Sequence, residues 1–278
     1  MGNLFIVKRG VLMSYFGTIE NFARENLGAL VKSTGKQIGN QALIDQGRHL
    51  QYGHLSPDEL FKQHPSEFLR SYAVQSTIQH PEHPGGQSNT NVSFQLRTIT
   101  ANTSVFPNLN QITDASGVTR TPIQHLQLIK TSDSAAHAGT HNSQQVGNNF
   151  SAAFLPMLQA STDQLPNRLN DVLVPGFSQG RVRDKNLNRR GETITVTTQL
   201  SGCSVTKRGG DLIHIRPSVS GIALNSSLAN NSNTFGRNDY PGQRAFVMMR
   251  KKPDGGTKLY FQKHDPNTNT ITSGSRRL

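Results

Sequence analysis

The chain of 278 residues contains only one cysteine, no tryptophan and few aromatic residues. A single cysteine cannot form an internal disulfide and cannot supply a cysteine-rich zinc site. The thiol of Cys203 must stay reduced in order to react. We therefore expect the protein to act in a reducing compartment such as a cytosol.

Two kinds of segment are also missing from the sequence. No apolar run reaches the length of about eighteen residues that a membrane-spanning helix requires. Between Met1 and Phe16, Lys8 and Arg9 follow the short apolar stretch, which reverses the order found in a secretory signal. We therefore expect no membrane span and no secretory signal peptide.

The N-terminal part has the spacing of helices. Apolar residues recur every three to four positions from Tyr15 to Ser33. Ser56-Pro57-Asp58-Glu59 combines an N-cap serine, a proline at the first helical position and a capping-box glutamate. A further helix is predicted from residue 65 or 66 to Ile78. Residues 80–90 are rich in proline, glycine and small polar residues and form a predicted linker.

The pattern changes after this linker, and we divide the chain into a helical segment, 1–85, and a second domain, 92–278. Strand alternation occurs in the second domain at residues 92–99, 243–250 and 258–261. Short helices are predicted at residues 152–160 and 164–172. The low apolar content of 33% and the many polar residues favour long loops.

The cysteine lies beside a predicted β-hairpin. Two short β-branched runs between Ser204 and Ile215 flank a Gly209-Gly210 turn. A two-residue or a four-residue loop gives one register, in which Lys207 faces Leu212, Val205 faces His214 and Cys203 faces Arg216. Cys203 and His214 then become diagonal neighbours on one face, with backbones roughly 7–8 Å apart. A three-residue loop would flip the parity and separate them.

The strand before the hairpin offers a hydroxyl to the same region. Residues 192–200 alternate, with Thr197 on the polar side, and Ser201-Gly202 then bends the chain into Cys203. We expect Ile213 and Ile215 to lie on the opposite face of the hairpin, so that His214 is directed into a cleft.

A thiol beside an imidazole can act as a nucleophile. An ordinary cysteine titrates near pH 8.5, a neighbouring histidine lowers that value, and the thiolate attacks carbonyl carbon. A hydroxyl or a carbonyl usually orients the imidazole, and Thr197 is one candidate. The competing interpretation is that Cys203 packs as a small hydrophobe and His214 is an ordinary polar-face residue, since free cysteines are more often packed than catalytic.

Several ordered motifs surround these residues: Leu200-Ser-Gly-Cys203, His214-Ile-Arg-Pro217, Thr234 to Gln243, Thr197 and an upstream Phe154-Leu155-Pro156. Together they resemble the glutamine deamidase toxins of the cytotoxic necrotizing factor and Burkholderia lethal factor type. The resemblance covers roughly the last 120 to 180 residues, about one domain. Phe235 departs from it, because a tyrosine stands at that position in the family.

The resemblance implies an α/β fold, a sandwich of mixed β-sheets with surrounding helices and long loops. It makes Cys203 the nucleophile, His214 the general base and Thr197 the residue that orients the pair, with no cofactor and no metal. It also implies a secreted bacterial effector and virulence factor that acts in the host cytoplasm as a monomer. Its partner would be a host protein substrate, either a translation-initiation helicase, so that translation is inhibited, or a Rho-type GTPase. The N-terminal segment 1–85 would serve secretion, targeting or chaperone binding.

Other functions use the same residues differently. A cysteine protease or a transglutaminase-like effector would use the same Cys-His pair. The formal net charge of +12 would suit a nucleic-acid-binding protein or a surface adhesin without catalysis, with Arg181–Arg190 and Arg250–Lys252 as the densest basic clusters. No aromatic residues are interleaved with them, so a solvated surface or an acidic protein partner is favoured and nucleic acid is not required.

Histidines outside the hairpin give a weaker metal signal. His137 and His141 have a spacing that could ligate zinc on a helix, but Gly139 and the polar neighbours favour a loop. His80 and His83 lie among prolines, where a linker is the simpler interpretation.

Overall fold

The computed structural model describes residues 3–76, 78, 92–99, 111–134, 143–155, 157–159, 181–183, 194–208, 211–216, 228 and 232–278. The chain divides into two compact units, Met1–Ser56 and Pro57–Leu278.

The first unit is a pair of helices, α1 (Asn3–Gln37) and α2 (Gln41–Tyr52). The Asn40 side chain begins α2 by accepting a hydrogen bond from the backbone nitrogen of Leu43 at 3.2 Å. The helices pack closely because Gly28 and Gly47 face each other, and a Cβ on either would overlap the backbone of the opposite helix. The predicted helix at 15–33 is confirmed and is longer at both ends. Among the described helices, none has both the length and the hydrophobicity needed to cross a membrane.

The second unit is mixed α/β. It begins with two short helices, α3 (Pro57–Gln63) and α4 (Pro65–Ser71), and continues as strands. The strands are β1 (Tyr72–Ser76), β2 (Val92–Thr98), β3 (Gln111–Thr113), β4 (Thr119–Arg120), β5 (Gln124–Lys130), β6 (Gln145–Leu155), β7 (Met157–Gln159), β8 (Arg181–Arg183), β9 (Ile194–Thr197), β10 (Ser204–Arg208), β11 (Asp211–Arg216), β12 (Thr234–Phe235), β13 (Arg244–Lys251), β14 (Thr257–Asp265) and β15 (Thr270–Arg277).

These strands form two sheets. A ten-stranded mixed sheet has the order β1-β5-β2-β6-β9-β13-β14-β15-β3-β4, and a five-stranded sheet has the order β12-β10-β11-β7 with β8 on β11. One apolar cluster contains residues of both: Leu155 and Val247 come from the larger sheet, and Val205 and Leu212 come from the smaller one. The hydrophobic contacts between these residues hold the two sheets at the place where the candidate site lies.

Several sequence predictions for this unit are confirmed. Helix α3 begins at Pro57, directly after Ser56, as the capping pattern predicts. The strands predicted at 92–99, 243–250 and 258–261 are β2, β13 and β14. The mixed α/β class with a helical N-terminal segment is confirmed as well.

Two helix predictions are wrong. The helix predicted from 65 to 78 ends at Ser71, and the chain continues as β1, which pairs in parallel with β5 and is buried throughout. In the segment predicted as a helix at 152–160, the described residues 152–155 and 157–159 are not helical but lie in β6 and β7. A fully buried strand has a continuous apolar run, so its period cannot be distinguished from that of a buried helix. The helix predicted at 164–172 lies outside the described residues.

The compact units divide at Ser56, which is earlier than the predicted change at 85–92. Helices α3 and α4 lie within the predicted N-terminal segment, but they pack on the sheets through Phe61 and Phe68. The Phe61 ring lies 5.0 Å from the Phe150 ring of β6, centroid to centroid. The carboxamide nitrogen of Gln262 in β14 donates to the carbonyl of Leu69 at 2.6 Å. The predicted linker at 80–90 lies outside the described residues.

Candidate active site

The hairpin beside Cys203 has the predicted register. Val205 pairs with His214 and Lys207 with Leu212 in the antiparallel ladder of β10 and β11. Cys203 directly precedes β10, two positions before the partner of His214, so the two residues occupy the diagonal arrangement that the sequence predicts. The pairing of Cys203 with Arg216 is not part of the ladder, which begins at Ser204.

Thr197 holds the imidazole of His214. Its hydroxyl oxygen lies 2.6 Å from Nδ1 of His214 and donates a hydrogen bond of 2.7 Å to the carbonyl of Leu155. A threonine hydroxyl has one proton, and the carbonyl can only accept, so Nδ1 of His214 must carry a proton and donate to Thr197. This arrangement selects the tautomer in which Nε2 can accept a proton, as a general base must.

Met157 links the histidine to the thiol. It is the direct pairing partner of His214 in the parallel contact of β7 with β11. The sulfur of Met157 lies 3.5 Å from Sγ of Cys203. One side chain is therefore next to both residues, and it borders them with an apolar, polarisable group.

The pair is enclosed. His214 has no exposed surface, Cys203 is 4% exposed, and Cys203 belongs to the apolar cluster shared by the two sheets. The prediction that His214 faces a cleft is therefore wrong, because apolar residues of both sheets cover the face of the hairpin on which His214 lies. Thr197 is also fully buried, since β9 lies between β6 and β13 in the middle of the larger sheet.

A cavity of about 420 Å³ lies next to the segment that leads into Cys203. Gly202, which directly precedes the cysteine, has a φ of +95°, a conformation that glycine adopts without strain. The left-handed turn at Gly202 places the backbone before the nucleophile candidate along the cavity wall. The lining residues are Ser201, Gly202, Arg237, Tyr240, Gly242, Gln243, Arg244 and Pro266.

Tyr240 joins the cavity to the cysteine. Its hydroxyl donates a hydrogen bond to the backbone carbonyl of Cys203. Burial, and secondly the nearby Cys203, raise the pKa of Tyr240, so the phenol remains a donor. The ring stacks on Phe235, with 5.6 Å between centroids and 19° between planes. Phe235 has no hydroxyl, but it stacks on Tyr240, whose hydroxyl contacts the backbone of Cys203.

The turn after Phe235 is fixed by an ion pair. Arg276 binds both carboxylate oxygens of Asp239, at 2.8 and 2.9 Å, and Asp239 also accepts from the backbone nitrogen of Gly236 at 2.7 Å. A Cβ at Gly236 would lie 2.5 Å from the hydroxyl of Ser204. The Thr234–Gln243 motif therefore forms a rigid wall beside the hairpin.

The described residues give the metal alternative no support, and they do not test the nucleic-acid alternative. Within that part of the chain, no three histidine, cysteine or acidic residues group as metal ligands. His80, His83, His137 and His141 lie outside it. Within the cluster Arg250–Lys252, Arg250 donates to the backbone carbonyl of Gln63 at 2.6 Å. In the other basic cluster, residues 184–190 also lie outside the described residues.

Three contributors to the site were not predicted as such: the Leu155 carbonyl, Met157 and Tyr240. Leu155 and Met157 lie at the ends of strands that were predicted as one helix, so their positions could not be inferred. Tyr240 lies inside the Thr234–Gln243 motif, and its place in this motif was its only signal in the sequence.

Comparison of the chain with protein-family models, with curated proteins and with solved structures found no match.

Proposed function

We propose that the protein deamidates a glutamine side chain of another protein, Gln to Glu, with Cys203 as nucleophile. The observation that carries the proposal is the Thr197–His214 hydrogen bond, which sets the histidine tautomer beside a single thiol. The sequence motifs support the same reaction, and the corresponding fold would be the sandwich of mixed sheets found in the deamidase toxins.

The reaction proceeds through a thioester. The thiol proton passes to Nε2 of His214 as Sγ of Cys203 bonds to the carboxamide carbon. The carbon–nitrogen bond then breaks, and ammonia leaves with the proton held by His214. Water adds to the thioester, giving a proton to His214, and the carbon–sulfur bond breaks as the proton returns to the thiolate. The products are a glutamate side chain and ammonia, and neither an oxidant nor a cofactor is consumed.

The biological setting belongs to the same proposal. The protein would be a bacterial effector that reaches the host cytoplasm without a signal peptide and acts there as a monomer. Its target would be a translation-initiation helicase or a Rho-type GTPase, and the N-terminal segment would serve secretion, targeting or chaperone binding.

The decisive experiment is mass spectrometry of host-cell lysate treated with the protein. We expect one glutamine to become glutamate with the wild type and to stay unchanged with Cys203→Ser. Because the chain has one cysteine, a reversible methylthio block of the wild-type thiol is a matched control: activity should vanish and return after reduction. The absence of any converted glutamine would refute the proposal.

The products separate the alternatives. A cleaved peptide bond would identify a cysteine protease, and a new amide cross-link would identify a transglutaminase. If no glutamine is converted, and the effect of the protein on host cells survives Cys203→Ser but is lost on charge reversal at Arg189 and Arg190, the protein binds without catalysis and the thiol is only a packing residue.

A further inference from the structure

The side chain of Met157 fills the space beside the proposed nucleophile. Met157 lies opposite His214 in the parallel pairing of β7 with β11, so both side chains project from the same face of the smaller sheet. Its sulfur lies 3.5 Å from Sγ of Cys203, which directly precedes β10 on the other side of β11. The methionine side chain therefore reaches across the strand that carries the histidine and ends at the thiol.

A glutamine side chain has the same shape as this methionine. Both are unbranched, and in both two methylene groups precede the third side-chain atom, which is the sulfur in methionine and the carboxamide carbon in glutamine. Two reacting atoms are held about 3–3.5 Å apart before a bond forms. Sδ of Met157 thus lies where the thiol would meet the carboxamide carbon of a bound glutamine, but a thioether has no carbonyl and cannot react.

The same side chain accounts for the enclosure of the pair. Cys203 is 4% exposed, and His214 and Thr197 have no exposed surface. Met157, by contrast, is partly exposed and packs against the apolar cluster that the two sheets share. Of these four neighbouring residues, Met157 is therefore the one that separates the others from solvent.

The strand that carries Met157 is short. Three register pairs join β7 to β11, whereas an average strand has about five to six residues. Extended peptides bind to sheets by adding a strand whose main chain makes the hydrogen bonds and whose alternate side chains enter pockets. An incoming extended segment that replaces β7 can make the same main-chain contacts to β11.

We propose that Met157 occupies the substrate site as an internal mimic of glutamine. The substrate glutamine enters in an extended segment that replaces β7, with its side chain in the place of Met157. The inference rests on the proposed function and names its substrate class: a glutamine in a segment that can adopt a strand, rather than one fixed in a helix.

The first test makes the mimic into a substrate. In Met157→Gln the carboxamide lies beside the thiol, so Sγ of Cys203 bonds to its carbon, the carbon–nitrogen bond breaks and ammonia leaves. Water then splits the thioester, and a carboxylate remains at position 157. We expect mass spectrometry of the purified variant to show loss of most of this carboxamide, with a matching release of ammonia.

The chain supplies two controls for this reaction. The same substitution combined with Cys203→Ser should keep the carboxamide at position 157. Gln159 is a native glutamine in the same strand, paired with Arg216 two positions from His214, and it should stay unchanged in the same peptide. Thermal unfolding shows whether each variant is folded.

The second test removes the mimic. Met157→Ala should raise the rate of Cys203 alkylation by iodoacetamide about three- to tenfold, because the reagent no longer waits for the methionine to move. Met248→Ala is the matched control: this fully buried methionine pairs with Val196, the neighbour of Thr197, and so lies on the opposite face of the larger sheet. It makes the same truncation and should leave the alkylation rate unchanged.

The outcomes separate this inference from the proposed function. A folded Met157→Gln protein that keeps its carboxamide, while the wild type converts a host glutamine, overturns the mimic and leaves the deamidase proposal in place. If neither glutamine is converted, both fail. Conversion at position 157 without any host conversion supports the mimic and overturns the proposed host target. Should Met157→Gln not fold, the second test decides: equal alkylation rates in the wild type and Met157→Ala, or an equal increase in Met248→Ala, overturn the mimic.

Discussion

Replacing Thr197 with valine tests the geometry on which the proposed reaction depends. Valine has nearly the same shape as threonine but no hydroxyl, so the fully buried position keeps its packing. The change removes the acceptor of Nδ1 of His214 and the donor to the Leu155 carbonyl. The imidazole then loses the contact that fixes its tautomer and its orientation.

The expected magnitudes follow from these two contacts. Each of the two buried polar groups left without its partner costs about 1–3 kcal/mol, so the free energy of unfolding should decrease by about 2–6 kcal/mol. For a unit of this size the midpoint of thermal unfolding should decrease by about 2–4 °C per kcal/mol. The proposed deamidation rate should decrease by about 10²-fold, the lower end of what a positioned general base contributes.

Thr197→Ser is the matched control, because serine keeps the hydroxyl and loses one methyl group. Its unfolding free energy should decrease by about 1 kcal/mol, and its deamidation and thiol-alkylation rates should remain within a fewfold of the wild type. The assays are thermal unfolding, alkylation of Cys203 by iodoacetamide, and glutamine conversion in host lysate. Equal rates in the wild type and the valine variant would refute the orienting role of Thr197, as would equal losses in both variants.

Three further perturbations have defined outcomes. Tyr240→Phe removes the hydrogen bond to the Cys203 carbonyl and should lower the unfolding free energy in urea by about 1 kcal/mol and slow iodoacetamide alkylation; no change in either would show that this bond does not position the cysteine. Gly202→Ala meets no neighbouring atom within 4 Å but has a φ of +95°, so backbone strain alone should cost about 1–3 kcal/mol, and a variant as stable as the wild type would contradict this. Burial lowers the pKa of His264 to about 3. Between about pH 6.5 and 3 the unfolded chain therefore binds a proton at this residue that the folded protein does not. As the pH is lowered through this window, the free energy of unfolding should decrease by up to about 1.4 kcal/mol per pH unit. In His264→Gln this part of the slope should vanish, and parallel curves for the two proteins in urea unfolding would refute it.

The sequence predicts the hairpin correctly because its information is local. Two glycines between β-branched runs predict a turn, and a turn of even length predicts the register, so the observed position of His214 opposite Val205 could be inferred from a few neighbouring residues. The capping pattern at Ser56 to Glu59 is equally local, and helix α3 begins where it predicts. Predictions of this kind depend only on residues that are close in the sequence.

Contacts over long sequence distances account for the errors. Residues 152–155 have the composition of a buried segment of either type, and their pairing with β2 and β9 makes them a strand. The exposure of His214 could not be predicted, because the residues that bury it come from both sheets. The approach of Tyr240 to Cys203, 37 positions apart, depends on the pairing of β10 with β12. Local propensity contains no information about such partners.

The candidate site is built across the two sheets, and this placement couples its chemistry to their packing. Leu155 and Thr197 end paired parallel strands of the larger sheet, whereas His214 and Met157 are paired in the smaller one. The Thr197–His214 hydrogen bond therefore spans the two sheets, beside the apolar cluster that both share with Cys203. A small shift of one sheet against the other would lengthen this bond before it exposed the cluster, because a hydrogen bond depends on distance and angle more steeply than apolar burial does. The orientation of the imidazole is thus a more sensitive measure of correct packing in this unit than its stability is.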